Sequence, residues 1–176
     1  MSASSPCAIN VEINLQEVSS GDTKSPVEVN PISINDWQSW LEVWLTSLKS
    51  QLPKADAYEL TLRLTNDAEI QGFNSQYRQQ NKPTDVLAFA ALEAEMPIFQ
   101  SDDPEPLYLG DIIISLETAA VQAQQNNHSL TIELAWLASH GLLHLLGWDH
   151  PDDQRLEEML AQQANLLKQV GFATIF

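Results

Sequence analysis

His140-Gly141-Leu142-Leu143-His144-Leu145-Leu146-Gly147-Trp148-Asp149-His150 holds three of the four histidines in the chain and decides how the rest is read. Upstream, Ile132 to Leu146 is apolar apart from Glu133, Ser139, Gly141 and two of those histidines, which predicts a helix buried on most sides. On a helix His140 and His144 share one face, with Cβ atoms about 5–6 Å apart, so both imidazoles can reach one ion. Gly147 tolerates the left-handed conformation that ends a helix, and the turn it permits brings His150 back toward the first two rings. The reading is a metal site with three nitrogen ligands, His140, His144 and His150. Structural zinc is normally closed by four protein ligands, often cysteines, whereas catalytic zinc keeps a position open. Cys7, the only cysteine, is remote.

Outward from this helix the pattern alternates between periods. Ala8 to Leu15 places Ile9, Val11, Ile13 and Leu15 on one face of a strand, and Tyr58, Leu60, Leu62 and Leu64 do the same for a second. Asp85 to Ala91 is continuous and mostly apolar, as expected of a strand covered on both faces. Leu107 to Ile114 is a fourth strand, in which Gly110 predicts a bulge or a close backbone approach. Trp37, Trp40, Leu41, Trp44, Leu45 and Leu48 recur at helical spacing behind Asn35 or Asp36 as cap, and three tryptophans so placed read as core. Asn66 with Glu69 has the form of a capping box and opens a short helix ending near Arg78. Ser115 caps Leu116 to Gln125, and a last helix runs from Pro151 to Gly171 with Leu156, Met159, Leu160, Leu166, Leu167 and Val170 as its packing stripe. The expected class is α+β, a small mixed sheet packed with helices, with the metal site on a central buried helix in zincin-like geometry.

With 176 residues and 44% apolar content, one domain over residues 1–176 is expected, with a polar surface loop at 16–32 and an exposed acidic loop from Glu93 to Pro106. No stretch has the length of a membrane span and the N-terminus lacks the features of a signal peptide, so a cytoplasmic location is expected. The net charge of −16 argues by itself against a nucleic-acid partner. Its distribution argues less strongly. Between Leu64 and Gln154 the only fixed cations are Arg78 and Lys82, just before Pro83-Thr84-Asp85-Val86-Leu87.

The spacing H-x3-H-x5-H with Gly147 matches the metzincin protease pattern except beside the first histidine, where the general-base glutamate is replaced by Gly141. A missing general base forfeits about 10²–10⁴ in rate, which counts against peptide hydrolysis. His140-Gly141-x-Leu143-His144-Leu145-x-Gly147-x-Asp149-His150 instead resembles the signature of the endoribonuclease YbeY family. Asn74 through Tyr77-Arg78 to Pro83-Thr84-Asp85-Val86-Leu87-x-Phe89, and Leu109-Gly110-Asp111-Ile112, agree with the same family in the same order. One departure is Ala88-Phe89-Ala90, where the family usually reads Ser-Phe-Pro; it bears on strand geometry.

The resemblance implies a single-strand-specific endoribonuclease that matures ribosomal RNA, including the 3′ end of 16S rRNA, and takes part in ribosome quality control. Its implied partners are single-stranded RNA and the small ribosomal subunit, with no membrane and no DNA expected. It also implies one Zn²⁺ ion on the three histidines and a catalytic role for Arg78, whose guanidinium suits the charge that develops on phosphate. Two alternatives stand beside it: a metzincin-like metalloprotease, and a non-catalytic ribosome-associated factor with a structural metal. Asp149 reads equally as a residue orienting a ligand imidazole or as a local backbone acceptor. Asp85, Asp111 and Thr84 line a cleft or end strands, His128 sits on a loop, and Asp152 and Asp153 complement a helix dipole.

Overall fold

Leu60, Leu62 and Leu64 alternate with Thr61, Arg63 and Thr65 along one strand, so each sheet face receives a different chemistry. The structure, a computed structural model, describes residues 8–18, 29–93 and 105–172. Its elements run β1 (Val11–Glu17), α1 (Ile34–Ser47), β2 (Tyr58–Thr65), α2 (Asp67–Arg78), β3 (Val86–Ala90), β4 (Leu107–Ser115), α3 (Leu116–Gln125), α4 (Leu130–Leu145) and α5 (Asp153–Gln169). Short 3-10 turns follow α1 and β3. The sheet order is β1-β2-β4-β3, with β1, β2 and β4 parallel and β3 antiparallel to β4. This is the expected mixed α+β architecture.

The two faces are covered unequally. Leucines of β2 and Ile112 and Ile114 of β4 join α1, α4 and α5 in the main core, where Trp37, Trp44, Leu134, Leu142 and Leu166 are fully buried. The opposite face carries a smaller cluster, Ile70, Leu87 and Ile113, with Phe73 and Phe89 packed against it. Trp44 is a core residue whose indole N–H donates to the Leu166 carbonyl, 2.8 Å away.

Several boundaries differ from expectation. β1 starts later and runs on to Glu17, because its pairing with β2 continues from Val11↔Tyr58 to Glu17↔Leu64 and draws Gln16 and Glu17 out of the expected loop. Residues 19–28 of that loop, and 94–104 of the acidic one, lie outside the described residues. The cap of α1 is Ser33, whose hydroxyl accepts the Asp36 N–H. β3 has both faces covered as expected, with Ala88 and Ala90 on the main core and Leu87 and Phe89 in the smaller cluster, and it is also an edge strand, paired among the described residues with β4 alone. On α5, Leu156 and Leu160 are exposed, and Gln163 occupies the buried line between Met159 and Leu166. The bulge predicted at Gly110 is present, since β4 has two residues opposite one of β2 between Glu59 and Thr61. At Gly110 φ is 136°, and a Cβ there would lie 2.1 Å from the Phe89 carbonyl oxygen.

Candidate metal centre

Helix α4 starts at Ser129, whose hydroxyl accepts the Ile132 N–H, and ends in a left-handed glycine. Gly147 has φ 93°; its N–H donates to the His144 carbonyl at 3.1 Å and the Trp148 N–H to the Leu143 carbonyl at 3.0 Å. That pair of bonds is a Schellman stop, which folds the chain back so that His150 faces the last turn of its own helix. Ring centroids then lie 4.6 Å apart for His140 and His144, 5.6 Å for His144 and His150, and 5.9 Å for His140 and His150. One ligating atom from each histidine lies within 4.8 Å of the others, so the group can hold a metal ion.

The hydrogen bonds of His140 decide which of its nitrogens meets the other rings. Gln163 donates its amide N–H to the Trp136 carbonyl at 3.3 Å, which leaves its oxygen to accept from His140 Nδ1 at 3.0 Å. A proton on Nδ1 leaves Nε2 of His140 free as a ligand. That atom is 3.0 Å from Nε2 of His144, a separation at which two lone pairs repel unless a proton or cation lies between them. Zinc–nitrogen bonds of about 2.0–2.1 Å fit such a pair after slight opening. Burial, reinforced by the neighbouring His140 and His150 rings, pushes His144 down to about 4, so it is neutral and available at physiological pH.

These rings open into a cavity of about 230 Å³ shared with Arg78, Asp85, Ala88, Gly141 and Asp149. Arg78, at the end of α2, reaches across the edge of β3 and donates from Nη2 to the Ala88 carbonyl at 3.4 Å. The Gln79 cap after it has a left-handed backbone and sends its N–H to the Asn74 carbonyl, which turns the chain out of the helix directly after Arg78. Arg78 is otherwise exposed and brings a fixed positive charge to the cleft. Asp149 accepts the His150 backbone N–H at 2.8 Å, which places it as a local backbone acceptor. Asp85 accepts from the Val86 N–H at 2.7 Å and from Gln122 at 3.2 Å, with Thr84 donating to it at 3.3 Å. Asp152 caps α5 by accepting the Arg155 N–H.

Gly141 has a further reason to be glycine. A Cβ there would sit 2.7 Å from Ile112 Cγ2, so α4 lies against β4 at a distance that admits no side chain. The position a metzincin gives to its general base therefore faces the sheet. His128 lies on the loop before α4, as expected, with its ring buried and hydrogen-bonded to the buried Glu133 carboxylate. Asp111 is not in this cleft: it faces the other side of the sheet, where Tyr108 donates to it at 2.5 Å. Gln163 escaped the sequence reading, although a glutamine in register with Met159 and Leu166 was a polar residue at a core position and so a visible signal.

Known proteins resemble this chain in sequence and in fold. The sequence model of the family described as Endoribonuclease YbeY matches residues 23–171. A relative named Endoribonuclease YbeY from Trichormus variabilis is 61% identical over 140 residues, 80% of each chain. Another of that name, from Synechocystis sp., is 49% identical over 172 residues, covering 97% of this chain and 96% of its own. The solution structure of TM1509 from Thermotoga maritima covers 90% of this chain and 89% of its own with a TM-score of 0.53 at 23% identity, which supports the fold.

Proposed function

The chain belongs to the endoribonuclease YbeY family, and on that premise we propose that it is a metal-dependent, single-strand-specific endoribonuclease acting in ribosomal RNA maturation, including the 3′ end of 16S rRNA, and in ribosome quality control. The observation that carries this is the convergence of three imidazoles with Arg78 in one open cavity on an otherwise acidic protein. His140, His144 and His150 would hold one Zn²⁺ ion, which when bound supplies Lewis-acid polarisation at the phosphodiester. Arg78 pairs with the non-bridging phosphate oxygens and favours the charge that builds on them as the bond breaks. Gln163 keeps the His140 proton on Nδ1. Single-stranded RNA and the small ribosomal subunit are the proposed partners, in a one-domain cytoplasmic protein; among the described residues no helix is long and apolar enough to cross a membrane.

The metalloprotease reading is disfavoured, since Gly141 has neither a carboxylate nor room for one. Purified protein is incubated with single-stranded RNA, duplex RNA and casein, with and without chelator, and its metal is identified by mass spectrometry. Chelator-sensitive cleavage of single-stranded RNA is expected. Casein cleavage without RNA cleavage would reverse the assignment, and unfolding by chelator with no activity on either would favour a structural metal.

A further inference from the structure

A second hollow, larger than the one that holds the histidines, lies across the sheet from it. On the opposite face of the sheet, α2 covers β3 and β4 and leaves a cavity of about 510 Å³, within the range of about 300–1,000 Å³ typical of small-molecule sites. Phe73, Tyr77 and Phe89 line it, with Phe73 and Tyr77 rings stacked at 6.3 Å and Tyr77 and Phe89 edge-on at 5.2 Å. Tyr77 packs on both phenylalanine rings and is still 55% exposed, so much of its surface is open to a ligand.

The floor is polar and pre-arranged. Tyr108 donates to the Asp111 carboxylate, so the Thr61 hydroxyl, 2.8 Å from the Tyr108 oxygen, donates to Tyr108 in turn. A carboxylate oxygen has two acceptor positions, so Asp111 can still take N–H groups from a ligand. At the rim, Arg63 is pinned flat by Glu69, at 2.5 and 2.9 Å, and by Gln16 at 2.9 Å. Its charge is already paired, and what it offers is a planar face for stacking.

We infer that this cavity binds one unpaired nucleobase of the RNA strand whose phosphate lies at Arg78, with guanine preferred because it presents two adjacent N–H donors to Asp111. The inference rests on the ribonuclease reading. Continuity is what selects a base as the occupant. Tyr77 and Arg78 are consecutive, as are Phe89 and Ala88, and in each pair one residue lines the aromatic cavity and the other the histidine cleft. Edge strand β3 lies between them, so a strand passing over it places a phosphate on one side and a base on the other. Aromatic side chains accept any base by stacking, and the acceptor floor then ranks the bases.

Nuclear magnetic resonance titration of the whole protein with GMP, AMP, CMP, UMP and ribose 5-phosphate tests this without any cleavage. GMP is expected to shift Thr61, Phe73, Tyr77, Phe89 and Ile113 most, the other nucleotides less, and ribose 5-phosphate not at all. Shifts confined to the histidine cleft, or none, would overturn the inference. In cleavage assays Tyr77→Ala raises KM on the order of tenfold with kcat retained. Asp111→Asn removes the guanine preference while keeping binding. An abasic nucleotide at the bound position costs wild type the same factor and costs Tyr77→Ala nothing more; if it costs both proteins equally, the base is read elsewhere. Should GMP bind as described while no RNA is cut, the ribonuclease reading fails and the base site stands.

Discussion

The hollows on either side of β3 are built on opposite principles. In the histidine cleft every functional group is local to a helix end: two imidazoles one turn apart, a third returned by a glycine stop, and an arginine at the last turn of α2. In the aromatic cavity each wall comes from a different element, β1, β2, β3, β4 and α2, and the residues meet only because the sheet is assembled. The three imidazoles, which need short, fixed distances, are brought together by the backbone of a single helix end. A surface that need only accept a flat ring is left to tertiary packing.

The most severe test of this division is His144→Ala, which is expected to abolish metal binding and RNA cleavage together while GMP titration of the aromatic cavity is unchanged; metal retained at wild-type stoichiometry would remove His144 from the ligand set. Next, Arg78→Ala should lower cleavage by about 10²–10³-fold with full metal content, as for a lost transition-state donor. A smaller effect is expected of Gln163→Leu, which keeps the buried volume but releases His140 from its tautomer. Metal affinity measured by competition with a chromogenic chelator should fall about 10–100-fold. Unchanged affinity would mean that the hydrogen bond serves packing only.

Two weaker effects sharpen the boundary between the cleft and the sheet beneath it. Gly141→Ala presses a methyl group on Ile112 and should cost about 1–3 kcal/mol in urea unfolding, without creating casein cleavage. Acid should also unsettle the metal-free protein. An unfolded histidine titrates near 6.5 and the folded His144 near 4, so between those values the unfolded chain binds the additional proton. The stability His144 contributes is complete above about pH 6.5 and is lost as pH falls through about 4, on the order of 1 kcal/mol for a half-buried ring. Urea midpoints that stay flat across that window would contradict the burial assigned to His144.

How much of this could be read in the chain varies with the range of the interaction. The 3.6-residue period of α4, the Gly147 stop and the return of His150 are local, and they stand in the structure as the spacing implied. Asn66 was legible as a cap and does accept the Glu69 N–H at 2.9 Å, but Glu69 spends its own carboxylate on Arg63 instead of reaching back to close the box. That bond holds the Glu69 carboxyl below its ordinary value. Asp111 illustrates the opposite case. Its place in a strand was evident, yet the side of the sheet it serves depends on the bulge at Gly110, where a one-residue offset reverses the facing of the residues beyond it. Burial of Tyr108, with its bond to Asp111, pushes the phenol up to about 12, and no spacing announced that pair.

By itself the sequence determined the histidine constellation, the helix that carries it and the absence of a base beside His140, because each depends on residues within a few turns of one another. Only the tertiary structure decided that β3 is an edge, that Gly141 lies against Ile112, that Gln163 completes His140, and that an aromatic hollow lies across the strand. Those outcomes depend on which face each element buries and on its partner in the sheet, and contacts between residues far apart in the chain leave little trace in local periodicity.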